Sequence, residues 1–329
     1  MVGKKILITG GAGFIGFHLA KYLAKKDYEI TLCDNLFRGK SDTDLNNLLK
    51  KSNVNLTVCD LTKKEELKKF ETDYDHVYHL AAINGTRYFY EIPHIVLRVN
   101  ALALINVLDW FVDSGCKKIL FPSSSETYHG TASVMSIQYP TPETIPLTID
   151  DVKNPRNSYA GSKIVGELFC LNYSRMYGFD VSIVRYHNIY GPRMGYEHVI
   201  PEFIVRILKK EDPFKIQGGE QTRSFCYIGD AVEATNMVME SSKSNSEIFN
   251  IGNDKEEITI LELLKILLKI FNLYPKIQTL PMPEGSVIRR KPSIEKIEKL
   301  IGWKPKVNLK TGLQKTIEWY KKTYKNDEK

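Results

Sequence analysis

The sequence predicts an α/β fold, a doubly wound parallel sheet with helices on both faces. Three observations carry this. Short apolar runs alternate with longer segments of helical period over the first 190 residues. The runs are short and continuous in the way buried parallel strands are. The first run leads straight into a glycine cluster and then a helix.

In chain order, residues 4–9 read as the first strand, 14–26 as a helix and 28–34 as the second strand. Residues 54–59 and 75–80 are the third and fourth strands, and 93–114 a long amphipathic helix. A fifth strand at 118–122, a long helix at 156–178 and a sixth strand at 181–186 follow. The pattern loosens after about residue 191. It predicts a helix at 199–210, short strands near 214–217 and 223–228, a further sheet strand near 247–252 and a helix at 260–271. Residues 280–292 are Pro-rich and read as a loop. A last helix at 310–324 ends in a polar tail expected to fray. Residues 1–190 therefore form one domain, to which the strand near 247–252 returns. Residues 191–329 form mainly a smaller α/β lobe on the C-terminal side.

The 329 residues suffice for a sizeable core. With 43% hydrophobic and 26% charged residues, the composition is that of an ordinary globular protein. No apolar run approaches the roughly 20 residues needed to cross a bilayer, and no signal peptide is evident, so a cytoplasmic protein without membrane association is expected. The five cysteines are odd in number and form no CxxC pair, which argues against a disulfide framework or metal site and for buried structural thiols. The net charge of +7 suits a phosphate-bearing small molecule. The lysines are scattered over helical faces without an arginine stripe, so no nucleic acid is expected as a partner.

Gly10, Gly13, Phe14, Ile15 and Gly16 follow the first strand and open the first helix. Glycines there allow a tight turn and close approach of a pyrophosphate, which the helix N-terminus attracts. This strand–turn–helix context makes the fold Rossmann-type. Asp34, followed by Asn35, ends the second strand, where a carboxylate accepts hydrogen bonds from ribose hydroxyls and repels a 2′-phosphate. NAD is thus favoured over NADP, with Arg38 a mild counter-argument.

Tyr159 and Lys163 lie four apart on one helix and share a face. Lowering a tyrosine from its usual value near 10 by about 3 takes about 4 kcal/mol. A lysine together with a positive nicotinamide ring in a dry site would supply it. The phenolate would then take a hydroxyl proton as hydride leaves.

With these two motifs the chain resembles the extended short-chain dehydrogenase/reductases, and within them the nucleotide-sugar epimerases and dehydratases. The resemblance implies NAD as cofactor and a nucleoside-diphosphate sugar as substrate, bound by the C-terminal lobe. It implies that Asp60 and Leu61 contact adenine, that Leu80, Ala81 and Ala82 line the cofactor, and that Asn100 contributes from the long helix. Tyr186 and Asn188, within residues 185–192, would approach nicotinamide and substrate. Arg223 and Arg290 would grip the diphosphate, since a guanidinium fork pairs two oxygens at once.

The reaction turns on residues 123–128. Ser124 matches the family's catalytic hydroxyl. Ser125 and Glu126 resemble the Ser-Glu pair of GDP-mannose dehydratases and UDP-glucuronate decarboxylases. In a 4,6-dehydratase, Glu126 would remove the C5 proton of a 4-keto sugar, although Ser125 stands where many dehydratases have an acid. This is the leading expectation. A 4-epimerase and a decarboxylase are the alternatives, the latter because residues 289–293 resemble that subgroup. Arg290 would then hold a uronate carboxylate or the diphosphate. A non-catalytic NAD-binding regulator is the alternative from another class. The long helices resemble a homodimer interface, with Leu102, Leu104, Val107, Leu108 and Phe169 either there or against the sheet.

Overall fold

The structure, a computed structural model, describes residues 3–282 and 286–327. Seven strands make one parallel sheet: β1 (Lys5–Thr9), β2 (Glu29–Asp34), β3 (Val54–Val58), β4 (His76–His79), β5 (Lys118–Ser124), β6 (Asp180–Tyr186) and β7 (Glu247–Ile251). Their spatial order is β7-β6-β5-β4-β1-β2-β3. Thr9 at the end of β1 pairs with Cys33 on one side and His79 on the other. The order reverses between β1 and β4, and this opens a crevice beyond the carboxyl ends of the strands.

Side chains of β1 alternate between two apolar layers. Ile6 and Ile8 join the helices α1 (Phe14–Leu23) and, far along the chain, Ile228–Glu240. Leu7 joins the opposite layer, with α2 (Pro93–Asp113) and α3 (Asn157–Tyr177). Val107, Leu108 and Phe111 of α2 are at most 1% exposed, and each such burial contributes about 1.5–3 kcal/mol. By length and composition alone α2 passes for a membrane span, contrary to the expectation that no apolar run is that long. Val96, Ala103, Leu104, Val107, Leu108 and Phe111 are nonetheless buried in the core, while Leu97 stays exposed.

A third apolar cluster lies apart from these two layers. It joins Phe203 and Ile204 of the helix Val199–Leu208, Leu263 and Leu267 of the helix Ile260–Phe271, and Leu313 and Ile317 of the helix Leu309–Asp327. A capping box between Thr259 and Glu262 fixes the start of the second of these.

Several expectations change. The helix Ile228–Glu240, here α4, has no counterpart in the sequence reading. Polar Thr235 and Asn236 interrupt its apolar pattern, yet both are buried, and Thr235 bonds the Ala231 carbonyl and the Tyr186 hydroxyl. Four short helices, Thr43–Leu49, Thr86–Glu91, His129–Val134 and Glu295–Ile301, were also unmarked. They are too short to establish a period. The strand near 223–228 is two, Thr222–Ser224 and Cys226–Tyr227. The 280–292 loop is not wholly irregular: Arg289–Arg290 adds to Thr222–Ser224 as a parallel strand, while residues 283–285 lie outside the described residues. The last helix continues through Asp327, and the end of the expected tail, 328–329, also lies outside. All five cysteines are free and buried.

Candidate active site

A cleft of about 620 Å³ lies at the reversal of strand order. At one end, the glycine turn runs over it. Gly10 has φ +67°, and a Cβ there would lie 2.8 Å from the Ala81 nitrogen. The left-handed backbone and the close passage of the next strand end both demand glycine. A Cβ on Gly13 would meet only the Gly10 carbonyl, at 3.1 Å, so this side of the turn is otherwise bare. Gly13 caps α1 with no side-chain bond, which leaves first-turn N–H groups for an anion. Phe14, Ile15 and Gly16 complete this wall.

Asp34 is 8% exposed. It accepts from the Ala12 and Leu36 backbone N–H groups at 3.0 and 2.8 Å. Burial raises its carboxyl above the ordinary value, and those N–H groups pull it back. Asn35, Asp60 and Leu61 line the same end. Asp60 is fixed by the backbone and hydroxyl of Thr62. Leu80, Ala81 and Ala82 form the floor, with the Ala81 N–H donated to the Thr9 hydroxyl. Arg38 also lines the cleft, facing Glu197 at 3.9 Å and the Tyr88 ring at 5.3 Å. These features fit a dinucleotide: bare backbone for the pyrophosphate and a carboxylate at the end of β2.

At the other end, α3 supplies Tyr159 and Lys163. Tyr159 stacks on Phe89, centroids 4.9 Å apart. Burial pushes its phenol far above the usual range, and a hydrogen bond with Ser124 draws it partly back. Burial lowers Lys163 to about 8. Its ammonium donates to the Pro122 carbonyl at 2.7 Å and lies 5.7 Å from the centre of the Tyr159 ring. The expected lowering of Tyr159 therefore does not arise from Lys163 in the protein alone.

Ser124 ends β5, and a 3₁₀ turn, Ser125–Tyr128, follows directly. The Glu126 N–H donates to the Ser124 hydroxyl at 3.2 Å, which aims Glu126 back into the cleft. There Glu126 meets two arginines. Arg290 Nη2 is 2.7 Å from Oε1, and Arg156 Nη2 is 3.2 and 3.3 Å from the two oxygens. Burial alone would raise this carboxyl; Arg290 and Arg156 outweigh it and hold it at about 2. Arg223 gives its N–H groups to the carbonyls of Thr222, Val287 and Ile288. Burial and the neighbouring Arg290 lower it to about 9.

The cleft thus gathers nearly all of the residues singled out from the sequence, Ser125, Tyr186, Asn188, Arg223 and Arg290 included. Two of them have polar side-chain groups already engaged by neighbours. Tyr186 turns its hydroxyl to Thr235, and Asn188 donates to the Ser224 carbonyl. Asn100 is the exception. It lies behind the cleft wall, where its Oδ1 accepts from the Ile83 N–H and its Nδ2 donates to the Ile83 carbonyl and the Ser162 hydroxyl. It orders the 81–84 segment and does not face the cleft.

Two arginines escaped the sequence reading. Arg156 stands three residues before Tyr159, a helical spacing that would have placed it on the same side. Arg193 is 3% exposed. It bonds Asp42 and the carbonyls of Ala12, Gly13 and Lys40, and its guanidinium lies 4.4 Å from the centre of the Phe17 ring. It braces the glycine turn from about 180 residues further along the chain, and nothing local in the sequence announces this.

The model of the NAD-dependent epimerase/dehydratase family matches residues 6–252. The chain belongs to this family. A UDP-N-acetyl-alpha-D-glucosaminuronate decarboxylase of Bacillus cytotoxicus is 36% identical, over 97% of this chain and 98% of the relative. A Thermotoga maritima UDP-glucose 4-epimerase, solved with UDP-glucose, has a TM-score of 0.86 at 31% identity, covering 97% of this chain and 99% of that one. A dTDP-glucose 4,6-dehydratase of Streptomyces venezuelae, solved with NAD bound, has a TM-score of 0.86 at 26% identity, covering 98% of each chain. Membership establishes an NAD-dependent enzyme acting on nucleotide sugars. Decarboxylase, epimerase and dehydratase all stand among its relatives.

Proposed function

We propose that this enzyme decarboxylates a UDP-linked hexuronic acid through a 4-keto sugar. The observation that carries the reading is Glu126 held between Arg156 and Arg290 beside Ser124 and Tyr159. Three arginines against one carboxylate leave this end of the cleft positive, which suits a sugar that carries a carboxylate of its own besides its diphosphate.

Gly10, Gly13 and the α1 N-terminus would hold the pyrophosphate of NAD, and Asp34 its ribose. Bound there, NAD supplies hydride acceptance at sugar C4 and hydride return at the end. Tyr159 takes the C4 hydroxyl proton while Ser124 holds the same oxygen. Lys163 adds positive charge nearby. A C4 ketone makes the C6 carboxylate a β-keto acid. When the C5–C6 bond breaks, its electron pair enters the C4–C5 enolate, whose oxygen Ser124 and Tyr159 hold. CO2 leaves and C5 takes up one proton, so the net reaction consumes one proton per CO2. Arg223 remains for the diphosphate.

Glu126 fits this scheme better than the 4,6-dehydratase expected from the sequence. A dehydratase base must take the C5 proton, and a carboxylate held at about 2 by two arginines is a weak base. The test is a panel of UDP-glucuronate, its N-acetylated amino analogue, UDP-glucose and dTDP-glucose, each with catalytic NAD, the products read by mass spectrometry. Loss of CO2 from a uronate is expected. Loss of water from a neutral hexose would make this a dehydratase, and an isomer of unchanged mass an epimerase.

A homodimer belongs to the same reading. Leu97 on α2 and Val165 and Leu168 on α3 stay exposed, and pairing of these helices between two copies would cover them. A monomeric mass by light scattering across a wide concentration range would reject it.

A further inference from the structure

We propose that Arg156 recognises the sugar carboxylate, and so sets the preference for uronates over uncharged sugars; this rests on the decarboxylase reading. Arg156 directly precedes α3 and lies one turn before Tyr159. A uronate carboxylate is bonded to C5, next to the C4 whose hydroxyl Tyr159 serves. The group that meets it must therefore stand close to Tyr159 on the cleft wall, as Arg156 does.

The side chain of Arg156 is 14% exposed. It reaches both oxygens of Glu126 through Nη2, and Tyr90 is its other polar neighbour. Its Nε is buried and has no hydrogen-bond partner among the described residues. A buried guanidinium donor without an acceptor costs stability, which an arriving carboxylate oxygen would restore. The neighbouring cations are placed differently. Arg223 gives three of its five N–H groups to backbone carbonyls, and the rest remain for the diphosphate. Arg290 comes from a separate segment, at 2.7 Å from Glu126 Oε1, and its Nη2 is likewise a buried donor without a hydrogen-bond partner among the described residues; the place of Arg156 one turn before Tyr159 is what sets it apart.

Glu126 gives the arrangement a second property. A carboxylate leaves as neutral CO2, so an unopposed bidentate grip would stabilise the ground state and slow cleavage. Because Glu126 already draws on the Arg156 guanidinium, the grip on substrate is moderated.

Arg156→Ala and Arg156→Lys, loaded with NAD, would be titrated with UDP-glucuronate, UDP-xylose and UDP, alongside NAD itself. The alanine variant should bind UDP-glucuronate about 10- to 100-fold more weakly, with the other three ligands changed less than about twofold. The lysine variant should recover part of the loss, since it restores charge without the fork. Equal weakening of all the UDP ligands, or unchanged UDP-glucuronate affinity, would overturn the assignment. If wild-type enzyme releases no CO2 from either uronate, the decarboxylase reading itself fails and takes this role of Arg156 with it.

Discussion

At the glycine-turn end of the cleft, recognition is built from backbone; at the Glu126 end, it is built from side-chain charge. The first end needs bare N–H groups and space, which Gly10 and Gly13 provide and Arg193 braces. Its ribose-binding charge, Asp34, is already tied to backbone N–H groups. The second end assembles Glu126, Arg156, Arg223 and Arg290 from four separate stretches of chain. A turn of fixed backbone suits a cofactor common to a whole family. Side chains on separate segments can change one at a time, and this is where relatives with different reactions can diverge.

The contrast is sharpest in turnover. Tyr159→Phe should lower kcat by about 10³-fold, with NAD affinity unchanged by titration. A parallel loss of NAD binding would mean that the two ends are not separable.

Glu126→Gln probes the charged end next. The folded carboxyl sits near 2, below its ordinary value of about 4.3. Its contribution to stability is therefore full above pH ~4.3 and is lost as pH falls toward 2, amounting to about 3 kcal/mol. Thermal melts of wild type and variant should differ most near neutrality and converge in acid. A gap that stays constant down to pH 3 would contradict this.

At the backbone end, Gly10→Ala places a Cβ against the Ala81 nitrogen at a left-handed φ. It should cost about 2 kcal/mol in stability, and calorimetry should show weaker NAD binding. Any loss of affinity for UDP alone should be small.

The smallest effect is expected at Asp34. Asp34→Ala removes the carboxylate that disfavours a 2′-phosphate, and should shift the NAD-to-NADP preference by about tenfold. Turnover with each cofactor measures it.

How far the sequence could be read follows the same division. Strand ends, the glycine turn and the Tyr159–Lys163 pair are local patterns, with spacings of one to four residues that map directly onto a turn or a helix face. α4 was hidden because the buried polar groups Thr235 and Asn236 break its apolar period. The pairing of Glu126 with Arg156 and Arg290 joins residues far apart in the chain, and no local spacing encodes it. Glu126 therefore reads in sequence as a free base and in the fold as a neutralised counter-charge. Asn100 errs the other way: a polar residue on the expected helix, it is used up holding Ile83 and Ser162.

The most direct measurement is the fate of the carboxyl carbon. UDP-glucuronate labelled at that carbon, incubated with wild-type enzyme and catalytic NAD, should release labelled CO2 in step with formation of a UDP-pentose. Retention of the label in a converted nucleotide sugar would contradict decarboxylation and return Glu126 to another role.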